Sequence, residues 1–211
     1  MTTVFQIQGP AGTLELALEE ITEAIVTHVM VICHPHPLFG GTMSNKVVTT
    51  LSKVASALHM PSIRFNFRGV GASTGEHDDG RGEVDDLRAV LAWTKDKWPL
   101  AKIILAGFSF GSYVAAAVAQ TGEAILLISI APPVMRWGFE NINVMPCPWL
   151  VVQGDADEVV EAQAVFEWFK RYHPEAQVIC FEKTTHFFHG QVLRLRETLL
   201  EKIPPYLVSE Q

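Results

Sequence analysis

The stretch "KIILAGFSFGSYVAA", residues 102–116, runs from an apolar, β-branched segment directly into one rich in alanine and valine. The first part has the composition of a buried strand, and the second that of a buried helix. Between them, Ser109 is separated by one residue from Gly107 and by one from Gly111. A sharp strand-to-helix turn strains its central residue and brings backbones so close that only small neighbours fit. The stretch therefore predicts a turn that projects the Ser109 side chain.

Apolar segments of strand length alternate with amphipathic segments of helix length along the rest of the chain. The predicted strands cover 28–34, 62–67, 102–108, 124–130, 149–154 and 177–182. The predicted helices cover 45–59 (with Ser44 as N-cap), 83–98, 112–120, 162–172 and 191–203. Segments 4–8 and 14–18 alternate apolar and polar residues around "GPAG", which is typical of an antiparallel hairpin. These patterns predict one α/β domain over 1–211, with a mostly parallel central sheet flanked by helices.

The bulk composition narrows the class of protein. The chain has 211 residues, 48% of them hydrophobic, and a net charge of −7, which is typical of a globular domain. The negative charge disfavours nucleic acid and anionic membrane surfaces as partners. The start of the chain lacks the basic and apolar regions of a secretory signal, and its three cysteines show no C-x-x-C spacing. We therefore expect free, buried thiols and a cytoplasmic location.

A serine hydroxyl is a weak nucleophile that needs a base, which a third group must hold in place. In an open parallel sheet, such groups lie on loops at the carboxyl ends of strands. "GDADEVV" follows one predicted strand and offers Asp157, with Asp155 as an alternative; "KTTHFFHG" follows the next and offers His186, with His189 as an alternative. The order Ser, Asp, His on separate loops is that of the nucleophile-elbow architecture.

Several motifs together resemble the α/β-hydrolases over essentially the whole chain. They are "CHPHPLFGGTMSNKVV", "RFNFRGVGASTG", "GFSFGS", "GDADEVV" and "HFFHG". More narrowly, they are similar to small bacterial α/β-hydrolases without a cap, which are described as predicted serine hydrolases or esterases and are related to dienelactone-hydrolase-like enzymes. The resemblance implies an α/β-hydrolase fold without a large cap domain, with Ser109 as nucleophile, Asp157 as acid and His186 as base.

An acyl-transfer site also needs backbone N–H groups for the developing oxyanion. One is expected from Phe110, the residue after the nucleophile. The other is expected from the loop "PHPLFGG", in which Pro35 and Pro37 have no N–H to donate. Alignment of this loop with the usual His-Gly-X of the fold favours Leu38, with His36 as the alternative.

The remaining motifs do not indicate a catalytic, metal or cofactor site. The histidine pairs at 34/36 and 186/189 occur without an H-E-x-x-H motif, and the glycine-rich "RGVGASTG" lacks dinucleotide spacing, so we expect no metal and no cofactor. Arg68 is expected to anchor its loop to nearby acids. Asp85 and Asp86 are expected to cap the helix that begins nearby.

The sequence therefore predicts a hydrolase that cleaves small carboxylic esters or thioesters through an acyl-enzyme. A peptidase or an acyltransferase with the same triad is the first alternative, and a catalytically idle binding protein is the second. Trp137 and Phe139 either line an acyl pocket or cover the core.

Overall fold

The computed structural model describes residues 2–22 and 25–208; Met1 and residues 209–211, at the ends of the predicted domain, lie outside them. The strands are β1 (Thr2–Gly9), β2 (Gly12–Glu19), β3 (His28–Cys33), β4 (Ser62–Phe65), β5 (Lys102–Phe108), β6 (Leu126–Ile130), β7 (Trp149–Gly154) and β8 (Gln177–Phe181). The helices are α1 (Lys46–Ala57), α2 (Arg81–Lys97), α3 (Phe110–Ala119), α4 (Ala162–Tyr172) and α5 (Val192–Lys202).

All eight strands form one sheet in the order β1-β2-β4-β3-β5-β6-β7-β8. β1 pairs antiparallel with β2 and β2 antiparallel with β4, while the pairs from β4 to β8 are parallel. The predicted hairpin and parallel sheet are confirmed, and the described residues contain no large cap. No helix in the described part of the chain is long and apolar enough to cross a bilayer.

Two apolar layers cover the sheet, which explains why its inner strands have continuous apolar runs. On β3, Val29, Val31 and Cys33 belong to the layer packed against α2, α3 and α4. Met30 and Ile32 of the same strand belong to the layer packed against α1 and α5. The alternation of side chains along each strand therefore fills both layers. Because β3, β5, β7 and β8 run parallel, their carboxyl ends lie at one edge of the sheet.

Two expectations about local structure were wrong. Asn45, not Ser44, caps α1, because its side-chain Oδ1 accepts the N–H of Val47 at 2.8 Å. Cys33 and Cys147 are buried as expected, but Cys180 is exposed, because β8 is the last strand of the sheet. All three cysteines are free.

Candidate active site

Ser109 lies on the predicted turn between β5 and α3, with φ 52° and ψ −122°. A Cβ at Gly107 would lie 2.2 Å from the carbonyl oxygen of Gly111. A Cβ at Gly111 would lie 2.4 Å from the carbonyl oxygens of Cys33 and His34. The two glycines therefore let the start of α3 pack against the ends of β5 and β3, and this packing holds the serine in its strained conformation.

The loops after β5, β7 and β8 bring three polar side chains into one row. His186 Nε2 lies 3.0 Å from Ser109 Oγ, and His186 Nδ1 lies 2.8 Å from Asp157 Oδ2. Ser109 is 7% exposed and His186 is 2% exposed. Because a carboxylate only accepts hydrogen bonds, Nδ1 carries the imidazole proton and the Nε2 lone pair faces the serine hydroxyl. In this geometry the hydroxyl can give its proton to the imidazole.

Asp157 is held as a carboxylate by its surroundings. Burial favours the neutral form, but hydrogen bonds from His186 and from the backbone N–H groups of Val160 and Val159 outweigh it and lower the pKa of Asp157. The backbone bonds are 2.8 and 2.9 Å long, and Gln153 Nε2 donates another of 3.0 Å. The negative charge that orients His186 is therefore stable at neutral pH.

The alternatives that the sequence left open have other surroundings. Asp155 is exposed, and its Oδ1 accepts the backbone N–H of Lys183 at 2.6 Å, so it holds two loops together. His189 is exposed and stacks on Phe187. Glu158, which sequence reasoning did not single out, accepts the backbone N–H of His186 at 3.1 Å. Its position directly after Asp157 was the only signal for this role.

In the loop after β3, the backbone N–H groups are arranged differently from the expectation that Leu38 donates to the oxyanion. The Leu38 N–H donates to His36 Nδ1 at 3.2 Å, and therefore stays within the loop. The His36 N–H makes no hydrogen bond to another described residue, whereas its carbonyl accepts from Phe39 and Gly41. Burial and the neighbouring His77 lower the pKa of His36, which keeps Nδ1 an acceptor. Phe110 begins α3, so its N–H has no acceptor within the helix.

A cavity of about 350 Å³ opens beside Ser109 and is large enough for a small molecule. Its walls come from the loops after β3, β6, β7 and β8 and from the turn after β5. The lining residues are Pro35, His36, Phe39, Gly40, Gly41, Asn45, Ser109, Pro133, Arg136, Trp137, Val159, Val160, His186 and Phe187. Trp137 therefore lines the pocket, whereas Phe139 is completely buried in the core.

His34, the first member of a histidine pair, is structural. Its Nδ1–H donates to the carbonyl of Pro35 at 2.6 Å, and its Nε2 accepts the N–H of Phe67 at 3.1 Å. Burial lowers its pKa to about 4. Both ring nitrogens are therefore engaged within the protein. Residues 2–22 and 25–208 also contain no group of three His, Cys, Asp or Glu side chains arranged to hold a metal ion.

The glycine-rich loop after β4 is anchored by an acid on α2. Arg68 reaches Asp86 with a shortest contact of 2.8 Å, and Asp86 Oδ2 also accepts the Arg68 backbone N–H at 2.9 Å. The expectation for Arg68 is confirmed, but Asp86 was wrongly assigned to capping. Because α2 begins at Arg81, its first-turn acid is Glu83, whose role the sequence did not reveal.

Comparisons with known proteins agree with this fold. The family model for the alpha/beta hydrolase fold matches residues 29–126. An uncharacterised protein of Rickettsia prowazekii (strain Madrid E) is 33% identical over 213 residues, which cover 96% of this chain and 87% of that protein.

Two solved structures are closely similar. One is an alpha-beta serine hydrolase homologue from Coxiella burnetii, 46% identical, with a TM-score of 0.93 over 96% of this chain and 98% of that chain. The other is an α/β serine hydrolase without a lid from Xanthomonas campestris, 39% identical, with a TM-score of 0.91 over 100% of this chain and 97% of that chain. Identity at this level over nearly the whole length shows that the chain belongs to the α/β-hydrolase family, among its serine hydrolases.

Proposed function

We propose that this hydrolase cleaves carboxylic esters, including thioesters, of small molecules, with Ser109 as the nucleophile. The observation that carries the proposal is the hydrogen-bonded row from Asp157 through His186 to Ser109, beside a cavity of small-molecule size. This row has the composition and order of a Ser-His-Asp triad.

In the proposed reaction, Ser109 Oγ attacks the carbonyl carbon while His186 Nε2 takes its proton. Asp157 stabilises the imidazolium that forms. The tetrahedral intermediate collapses when His186 gives the proton to the departing alcohol or thiol, which leaves an acyl group on Ser109. Water then attacks this acyl-enzyme with His186 again as base, and the carboxylic acid is released.

The oxyanion of the intermediate would accept hydrogen bonds from the N–H groups of Phe110 and His36. We assign His36 in preference to Leu38, because the Leu38 N–H already donates to the His36 ring. Such donors stabilise charge that exists only during the reaction, and each is worth about 10²- to 10³-fold in kcat.

Composition and cysteine chemistry support two further parts of the proposal, a partner that is not nucleic acid and a reducing compartment. Its net charge of −7 disfavours nucleic acid as a partner. Its three cysteines are free, which supports a cytoplasmic location.

The test combines covalent labelling with turnover. A fluorophosphonate probe is expected to attach to Ser109, located by peptide mass spectrometry, and p-nitrophenyl esters of graded acyl length are expected to be hydrolysed. Ser109→Ala should lose both properties, and Ser44→Ala, which changes an exposed serine on a neighbouring loop, should keep both. Full turnover by Ser109→Ala would refute the proposal. Faster cleavage of peptides, or transfer to added alcohols in place of water, would replace the ester hydrolase by the peptidase or the acyltransferase.

A further inference from the structure

The turn before α2 contains a histidine that a buried carboxylate holds in place. His77 Nδ1–H donates to Glu83 Oε1 at 2.7 Å, and the His77 side chain is 8% exposed. Glu83 is completely buried and also accepts the backbone N–H groups of Gly80 at 2.8 Å and Asp78 at 3.0 Å. Three donors therefore satisfy the Glu83 side chain, and the imidazole ring is fixed relative to the start of α2.

The fixed ring packs against both residues to which we assign the oxyanion amides. The ring centroids of His77 and His36 are 4.8 Å apart, and those of His77 and Phe110 are 5.7 Å apart. His36 and Phe110 also touch each other, with centroids 5.0 Å apart. Among the described residues, Trp137 is the other ring that contacts both, but it lines the substrate cavity, whereas His77 does not.

The two amides lie just beyond the ends of two paired strands. β3 and β5 are hydrogen-bonded in parallel as far as Cys33 and Gly107, but among the described residues no backbone hydrogen bond joins His36 to Phe110. His36 lies in a loop between two prolines, and Phe110 begins a helix more than 70 residues later. Oxyanion stabilisation requires both N–H groups to converge on one point, and a misplacement of about 0.5 Å is enough to weaken it. A rigid group that packs against both side chains without lining the cavity meets this requirement.

We propose that His77 is a positioning residue, held by Glu83, that fixes the His36 and Phe110 amides relative to each other for oxyanion binding. The proposal rests on the proposed function, since it assigns a role to His77 only if those amides stabilise a tetrahedral intermediate. His77 does not contact the substrate; it acts through the two residues that do.

The first test compares His77→Leu, which removes the ring, with His77→Phe, which keeps a ring of similar size. In His77→Leu, kcat for a p-nitrophenyl ester should fall about 10- to 100-fold with KM within about twofold, because oxyanion donors act mainly on the transition state. His77→Phe should recover much of this loss. Asp79→Asn, which removes the exposed carboxylate 3.4 Å from His77 Nε2, is the control and should stay within about twofold of the wild type.

The second test separates positioning from a general loss of structure. A trifluoromethyl ketone forms a charged tetrahedral adduct with the serine, whereas the matched methyl ketone binds through the pocket alone. Affinity for the trifluoromethyl ketone should fall in parallel with kcat/KM in His77→Leu, and affinity for the methyl ketone should not change. An equal loss for both ketones, or a kcat within threefold of the wild type, would overturn the proposal.

Glu83→Gln provides the same test if His77→Leu does not fold. The variant keeps the ring but removes the charge that orients it, so kcat should fall about three- to tenfold at constant KM. A kcat equal to that of the wild type would overturn the proposal. Failure of the proposed function has a different signature, because the wild type itself would then neither label nor turn over esters.

Discussion

Asp157→Asn tests the row of side chains most sharply, because it changes one atom of a fully buried side chain. The Oδ1 atom of the new asparagine can still accept the N–H groups of Val159 and Val160. Its amide group, however, replaces the oxygen that lies 2.8 Å from His186 Nδ1. An amide N–H2 donates to that nitrogen and moves the imidazole proton to Nε2, where it faces Ser109. The imidazole then has no lone pair for the serine proton.

The expected loss in kcat follows from this change of tautomer. The corresponding carboxylate-to-amide change in serine proteases costs about 10⁴-fold in kcat. For this chain we expect about 10³- to 10⁴-fold, which corresponds to about 4 to 5.5 kcal/mol of activation free energy. KM should change little, because the cavity walls do not include Asp157.

The assay is steady-state hydrolysis of a p-nitrophenyl ester at neutral pH, with a thermal melt to show that the variant is folded. The matched control is Asp155→Asn, the same substitution two residues earlier on an exposed side chain. The control should keep at least a third of the wild-type kcat. A loss below tenfold in Asp157→Asn, or an equal loss in the control, would refute the reasoning.

Three further predictions concern stability and reactivity. His34 has a pKa of about 4 when folded and about 6.5 when unfolded, so the unfolded chain takes up a proton first as pH falls. The free energy of unfolding, measured with urea, should therefore decrease between pH 7 and pH 4.5. The decrease should be about 2.5 kcal/mol larger in the wild type than in His34→Asn, and equal decreases would contradict this. Asp86→Ala should lower the free energy of unfolding by about 3 kcal/mol, because it leaves Arg68 unpaired. Asp85→Ala, the control at an exposed position, should lower it by less than about 0.5 kcal/mol. Ellman's reagent should react with Cys180 alone in the native protein, and equal rates for all three thiols would contradict the burial pattern.

The order and type of the strands and helices could be predicted because the sheet is buried on both faces. A strand covered by two layers has a continuous apolar run, as in β3. The helices between such strands instead repeat apolar residues every three to four positions. Element ends depend on single caps and on tertiary contacts. For this reason the pattern did not distinguish Asn45 from Ser44, and it started α3 two residues too late, because Ser109 leads into the helix without a loop.

The position of Ser109, Asp157 and His186 at one edge also follows from the topology, since parallel strands end together. The amide of Leu38 could not be assessed in this way. Pro37 begins a short 3₁₀ turn that directs the Leu38 N–H at the His36 ring, and this depends on backbone angles that sequence alignment does not report. The His77–Glu83 contact was equally invisible, because the complete burial of a glutamate in a charged segment has no sequence signature.

The backbone at Ser109 has a consequence for protein engineering. A non-glycine residue at φ 52° and ψ −122° carries strain of about 1 to 3 kcal/mol, which glycine would relieve. A design procedure that optimises thermal stability alone would therefore favour Ser109→Gly, and the more stable protein would have no hydroxyl to offer a substrate. At position 109, thermal stability and catalytic activity therefore favour different residues.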